Sequence, residues 1–426
     1  MGLKPHFVSP IEALSTLAPG SKVFIGSSCG EPLSLTNTLA NCWRELPHLH
    51  LIFLVHLSDY HFLAGLGRGM TATALGQVPR LPKDLPADAV EFFPTRYSQT
   101  PRLLKPGGGL ALDALLVQVS TPDVHGYCSL GVTVGLARDL VEAIPLVIAE
   151  VNHNTPRTLG DSFVHVRDLD VLVESNLPLL PGAKSSIGEV EKSIARNVAS
   201  LIPDGATIQI GVGAIPDAVI GALQDKNDLG FHSGLISDSV RLLIERGVIT
   251  NARKPIDRGK SVMGEVVGSQ SLFEWAHQNP SLSMRPVSYT HNLRVLSQIP
   301  SLVAINSAIQ VDLSGQINAE SLGPIQVSSV GGQFDFVEGA SYSEGGISII
   351  ALPSTAGNGK YSRIVSQLTP GSIVTTPRYM IDYVVTEYGV AELRDKTLRE
   401  RAKAMIGVAH PDFRDEFAVE LRRNGS

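Results

Sequence analysis

Short apolar runs and longer stretches of helical period alternate along this chain. KVFIG from Lys22 is followed by PLSLTNTLANCWREL and then by LHLIFLVHL from Leu49; further on, ALLVQVS from Ala114 precedes LARDLVEAIP and LVIAEVN. The runs have the length of buried strands, while the intervening stretches repeat apolar positions every three to four residues. Strands joined through helices need crossover connections, so the pattern predicts an α/β fold with largely parallel sheets. The longest apolar run, around LHLIFLVHL, has about half the length that a membrane helix needs. It is also broken by His56, so it reads as a buried strand and no membrane association is expected.

At 426 residues the chain exceeds what one hydrophobic core usually organises. An internal echo suggests how it divides. PGSKVFIGSSCGEPLSLTNTL from Pro19 and PDGATIQIGVGAIPDAVIGAL from Pro203 share a turn, a strand after Gly20 or Gly205, a glycine at Gly26 or Gly211, and a helix-like stretch. Each copy reads as the first strand, loop and helix of its own domain. The turn-rich NLPLLPGAKSS from Asn176 precedes the helical IGEVEKSIARNVASL and supplies the break. The expectation is two similar open α/β domains, 1–185 and 186–426.

Composition narrows the function classes. With 43% hydrophobic and 18% charged residues the chain is globular rather than disordered. A formal charge of -6 without a basic block lacks the footprint of a nucleic-acid binder, which leaves small molecules as the expected partners. Cys29, Cys42 and Cys128 are odd in number and show no paired spacing, so neither a disulfide framework nor a zinc site is expected. The opening MGLKPHFVSPIEALSTL lacks the pattern of a secretory signal, and a cytoplasmic location follows as the expectation.

Several Gly-rich turns could carry chemistry. QIGVGAIPDAV from Gln209 puts Gly211 and Gly213 between a strand and a helix, where backbone N–H groups can face an anion or a developing oxyanion. Pro216 stands where the dinucleotide fingerprint needs its last glycine. GFHSGLISDSV from Gly230 gathers His232, Ser233, Ser237 and Asp238; a triad assembles in space rather than along one loop, and a polar turn bonding its own backbone accounts for these residues. SSVGGQFDFVEGA carries Gly331 and Gly332. ALPSTAGNGKYSRIV carries Asn358 and Gly359, with Lys360 and Arg363 close behind, cations suited to a phosphate. Four such turns in the C-terminal half argue for an extended ligand there. The closing VVTEYGVAELRDKTLRERAKAMIGVAHPDFRDEF reads as a short strand, a turn at Tyr388–Gly389, an amphipathic helix and a stop at His410–Pro411.

Together FIGSSCGEP, HGYCSLGVTVGLARDLVEAI, VIAEVNHNTPRTLGDSFVHV, IQIGVGAIPDAV, GFHSGLISDSV, INSAIQVDLSGQINAE, GGQFDFVEGA, ISIIALPSTAGNGKYSRIV and VVTEYGVAELRDKTLRERA resemble, nearly end to end, the acetyl-CoA hydrolase and 4-hydroxybutyrate CoA-transferase family of the class I CoA-transferase fold. The resemblance implies acyl-CoA, or coenzyme A itself, as substrate in a cleft between the domains, a small acceptor, no metal or tightly bound cofactor, and a homodimer or higher homo-oligomer. It implies that Gln209 and Gly213 belong to the oxyanion-stabilising segment and that Gly331 and Gly332 lie against the thioester. It further implies that His291 or Asn292 falls in a stretch that supplies an Asn in some relatives.

The same resemblance exposes a departure. The family's turn usually reads His–Ser–Glu, with the Glu attacking the thioester to form an acyl-glutamyl anhydride and then a glutamyl-CoA thioester; a carboxylate suits this because it can be attacked, released and regenerated. Here the turn reads His232–Ser233–Gly234, and the usual Ser–Asp–Gly appears as Ser237–Asp238–Ser239. Three readings follow: an inactivated transferase that traps its substrate, a natural member whose nucleophile comes from solvent or a second substrate, or an acyl-CoA-binding protein without turnover. The change at Ser239 favours natural divergence. Glu265, Glu344 and Cys29 are the nearby candidates for a replacement, each read more simply as structural.

Overall fold

The computed structural model describes residues 6–77, 79, 85 and 89–423. They form two compact units, one built from the chain up to Ala183 with Val262–Thr290, the other from Lys184–Ser261 with the chain from His291 onward.

In the first unit, strands Lys22–Ile25 (β1), Leu49–Phe53 (β2), Met70–Ala74 (β3), Val90–Phe92 (β4), Ala114–Val119 (β5), Leu146–Asn152 (β6) and Val171–Ser175 (β7) form one sheet in the order β4-β3-β2-β1-β5-β6-β7. Every pair in it is parallel. All six residues of β5 are buried, as expected of a strand covered on both faces. The second unit repeats the scheme with Thr207–Ile210 (β8), Gly230–Phe231 (β9), Leu302–Asn306 (β10), Ile347–Ala351 (β11), Tyr383–Thr386 (β12) and Gly389–Glu392 (β13), in the order β9-β8-β10-β11-β12-β13. Only its last pair is antiparallel. The α/β class with largely parallel sheets therefore holds in both units.

The echo has a structural meaning. Gly20 and Gly205 both turn the chain with left-handed φ, 85° and 78°, immediately before β1 and β8. Each of these strands sits where its sheet's strand order reverses, between β2 and β5 or between β9 and β10. At such a reversal the loops leaving the carboxyl ends diverge and open a crevice, the usual ligand site of an open α/β sheet.

The C-terminal segment differs from its sequence reading in two places. VAE forms β13, hairpinned onto β12, and the helix begins only at Leu398. Thr397 and Glu400 mark that start with reciprocal capping hydrogen bonds, a Thr-x-x-Glu signature readable in the sequence. His410–Pro411 interrupts rather than ends the helical run, since a second helix covers Pro411–Arg423; proline fits a first helical turn because its missing N–H would have no helical partner there.

Polar groups buried around the loop after β1 fix its course. Glu150 on β6 accepts from the Ser34 and Leu35 amides at 2.8 and 3.3 Å, capping the helix Leu33–Cys42, whose preceding Pro32 offers no side-chain cap. Glu31 Oε2 meets His56 Nδ1 at 2.8 Å with both side chains fully buried, and Ser58 Oγ donates to the same oxygen at 2.8 Å. Burial alone would raise the Glu31 pKa, but His56 and the hydroxyls of Ser58 and Thr36 outweigh it and hold the carboxyl below its ordinary value. Glu31→Ala leaves buried polar groups without their partner and should cost about 3–5 kcal/mol, measurable as a lowered melting temperature of the full chain. Because the folded pKa is depressed, this contribution is present above the ordinary carboxylate range and fades as pH falls through the folded value; the melting points of wild type and variant should converge on acidification.

Candidate active site

At the carboxyl end of β8, Gln209 is nearly buried, 5% exposed. Asn306, at the end of β10, donates its amide to Gln209 Oε1 at 3.1 Å. The pair spans the strand-order reversal, so two side-chain amides stand where the crevice opens. Past Gln209 the chain runs through Gly211, beside which an added Cβ would meet open space, and Gly213, whose φ of 124° favours glycine, into the helix Ala214–Gly221.

The next strand delivers the His–Ser–Gly turn to the same edge. His232 and Ser233 follow β9 and are buried, 0% and 1% exposed. Ser233 Oγ donates to the Ile210 carbonyl at 2.9 Å, tying the turn to the end of β8. Ser239 Oγ donates to Asp217 Oδ1 at 2.6 Å and lies 2.9 Å from Ser237 Oγ. These bonds fasten the helix Asp238–Glu245 to the helix that follows Gly213.

Gly234 packs against one side chain. A Cβ built there would lie 3.1 Å from Cε1 and 3.2 Å from Nε2 of His291. The same ring overlaps the position of a Cβ on Gly332, which precedes the helix Gln333–Tyr342. Phe336 on that helix packs against the imidazole with ring centroids 4.7 Å apart. His291 is 4% exposed; burial, with the neighbouring His232, pushes its pKa down to about 3. The imidazole is therefore neutral throughout the neutral pH range.

Of the two candidates in this stretch, His291 faces Gly234 and Gly332. Asn292 instead caps the short helix Leu293–Leu296, accepting from the Arg294 amide at 2.9 Å. Gly331 turns with φ 53° just before Gly332. Asn358, Gly359 and Lys360 form the exposed tip of a hairpin between Thr355–Ala356 and Tyr361–Ser362, which leaves the carboxyl end of β11. Lys360 lies over the Tyr361 ring at 5.2 Å, whereas Arg363 donates to the Ala308 carbonyl at 3.3 Å.

The replacement candidates separate by position. Glu344 is exposed at the opposite, amino-terminal edge of the second sheet, where its carbonyl accepts from Ser301. Burial pushes the Cys29 thiol up to about 12, which removes the thiolate a nucleophile requires. Glu265 is half-buried in the first unit. Tyr97 donates its hydroxyl to Oε1 at 3.2 Å, and burial raises the carboxyl pKa. Sequence reasoning had no signal for this cluster, because Tyr97 and Glu265 lie 168 residues apart in the chain.

Models of the acetyl-CoA hydrolase/transferase N-terminal and C-terminal domains match residues 4–181 and 268–421. The chain is 43% identical over 421 residues to 4-hydroxybutyrate coenzyme A transferase of Clostridium kluyveri, covering 99% of this chain and 98% of that one. It belongs to the acetyl-CoA hydrolase/transferase family. Among solved structures, RipA from Yersinia pestis matches 98% of this chain and 97% of its own with a TM-score of 0.90 at 34% identity. The 4-hydroxybutyrate CoA-transferase from Porphyromonas gingivalis matches the same shares with a TM-score of 0.83 at 35% identity. The chain is thus an enzyme of this family, with the family's α/β architecture. Among the described residues, no helix is long and apolar enough to cross a membrane.

Proposed function

We propose that this enzyme transfers the acyl group of a CoA thioester to water or to a small acceptor that enters the space beside Gly234. The observation that carries this reading is the convergence on one sheet edge of the Gln209–Asn306 amide pair, the open backbone at Gly211 and Gly213, and the Gly234 turn packed against the His291 ring. An amide donor and a helix N-terminus next to an uncluttered backbone suit a thioester carbonyl whose oxygen gains negative charge. Gly331, beside which a Cβ would meet open space, lets the thioester approach the backbone, Gly332 accommodates the His291 ring next to it, and the tip at Asn358–Lys360 offers amides and a cation to a CoA phosphate. His232 and Ser233 hold the turn in place, and Asn292 orients the stretch that presents His291. With no carboxylate at 234, no glutamyl-CoA forms at this turn. The relatives' names support small carboxylates as the acceptor class.

Binding should outlive the loss of the usual nucleophile. Calorimetric titration with acetyl-CoA and longer acyl-CoAs is expected to show saturable binding that weakens when Gly332 becomes Ala, since the new Cβ overlaps the His291 ring. Absence of binding across the whole series would remove the reading.

A further inference from the structure

The strand β9 is two residues long and lies at the end of its sheet, with β8 on its one paired side. A short edge strand of this kind has no ladder for its outer N–H and C=O groups, yet it delivers the His232–Ser233–Gly234 turn. One loop, residues 248–261, takes the place of the missing strand. The Leu229 amide donates to the Val248 carbonyl at 2.9 Å, and the Thr250 and Asn251 amides donate to the Leu229 carbonyl, both at 3.0 Å. Two residues further along, side chains take over. Phe231 N–H donates to Asn251 Oδ1 at 2.8 Å, and Lys254 Nζ donates to the Phe231 carbonyl at 3.1 Å.

Both side chains are themselves fixed. Asn251 is 3% exposed, holds a left-handed φ of 55° that asparagine tolerates, and donates to Ser261 Oγ at 3.0 Å. Lys254 is 2% exposed, a degree of burial rare for lysine. Its Nζ also donates to the Lys260 carbonyl at 2.8 Å. Its stem crosses the bare backbone of Gly230, where an added Cβ would lie 3.0 Å from Cγ of Lys254. The peptide that leads from Phe231 into the turn is therefore held from both sides. Lys254 binds its carbonyl, and its His232 N–H donates to the Ile208 carbonyl of β8 at 3.1 Å.

We infer that Lys254, together with Asn251, is a positioning residue for the reaction: it sets the direction in which the chain leaves β9, and so the placing of the Gly234 turn relative to Gln209 on β8. It acts through the Phe231–His232 peptide rather than on the substrate. The consequence for acyl transfer rests on the function proposed above, whereas the hold on the turn rests on the hydrogen bonds alone. A misplacement of about 1 Å can cost about 10²-fold in rate, so the loss of this one buried donor reaches the chemistry while the groups that bind acyl-CoA stay in place.

The test compares wild type with Lys254→Met, which keeps the buried stem and removes the donor. The variant should release or exchange CoA from acetyl-CoA and butyryl-CoA about 10–10²-fold more slowly, with KM and calorimetric affinity for acyl-CoA nearly unchanged. Hydrogen exchange at the Phe231 and His232 amides should quicken in the variant while β10 and β11 keep their protection. In wild type these two amides should exchange as slowly as those of β10 despite their place on a sheet edge, a measurement that needs no variant to fold. A lowered melting temperature with wild-type turnover, or a loss confined to KM, overturns the inference; so does fast exchange of the two amides in wild type. Wild type that neither binds acyl-CoA nor releases CoA overturns the functional reading instead, and the exchange measurement still decides the hold on the turn.

Discussion

Gly234→Glu should raise CoA transfer between small carboxylates by several powers of ten, the scale of a restored covalent nucleophile. The backbone permits it, because φ at 234 lies outside the left-handed region and an added Cβ meets only the His291 ring, at 3.1 and 3.2 Å. Accommodating it requires the His291 ring to shift by a few tenths of an ångström. The new carboxylate would extend from the turn that Ser233 anchors to the end of β8, the strand that carries Gln209. Transfer from acetyl-CoA to butyrate or hydroxybutyrate measures the gain, and borohydride reduction with mass mapping should locate a CoA adduct at position 234. A variant that folds and binds acyl-CoA yet transfers nothing would mean the surrounding pocket has diverged. Ser239 would then be the first neighbour to revert, since its hydroxyl fastens the turn's helix to Asp217.

Gln209→Ala should lower the turnover rate by about 10²–10³-fold, the usual consequence of removing one oxyanion donor, with acyl-CoA affinity nearly unchanged. The side chain is held at the sheet edge by Asn306 at 3.1 Å, so its donor is positioned before the substrate arrives. Asn306→Ala should show a smaller loss of the same kind, because it frees Gln209 to rotate without removing the donor. A Gln209→Ala effect confined to KM would show ground-state binding instead.

Much of the fold was legible because the alternation of buried strands and amphipathic helices is a local signal. The echo around Gly20 and Gly205 went further, marking the two strands at which the sheets reverse. The turns at Gln209, Gly234 and Gly332 could also be picked from sequence, since glycine between a strand and a helix is a local pattern. What stayed hidden depends on contacts between distant segments. No periodicity reports that residues 262–290 pack with the first unit, that Glu31 pairs with His56, or that Glu150 caps a helix far earlier in the chain. The packing of His291 against both Gly234 and Gly332 belongs to the same class. The C-terminal helix boundary is different in kind: Thr397 and Glu400 announced it, and Pro411 was equally compatible with a start and a stop.

The most direct test of the account follows free CoA over time when the purified protein meets a series of acyl-CoA thioesters, with and without small carboxylate acceptors. The account predicts steady release or exchange of CoA with multiple turnovers by wild type, with no covalent adduct at the His232–Asp238 turn. Saturable binding without any release or exchange across the series would contradict it and identify a protein that holds acyl-CoA without transforming it.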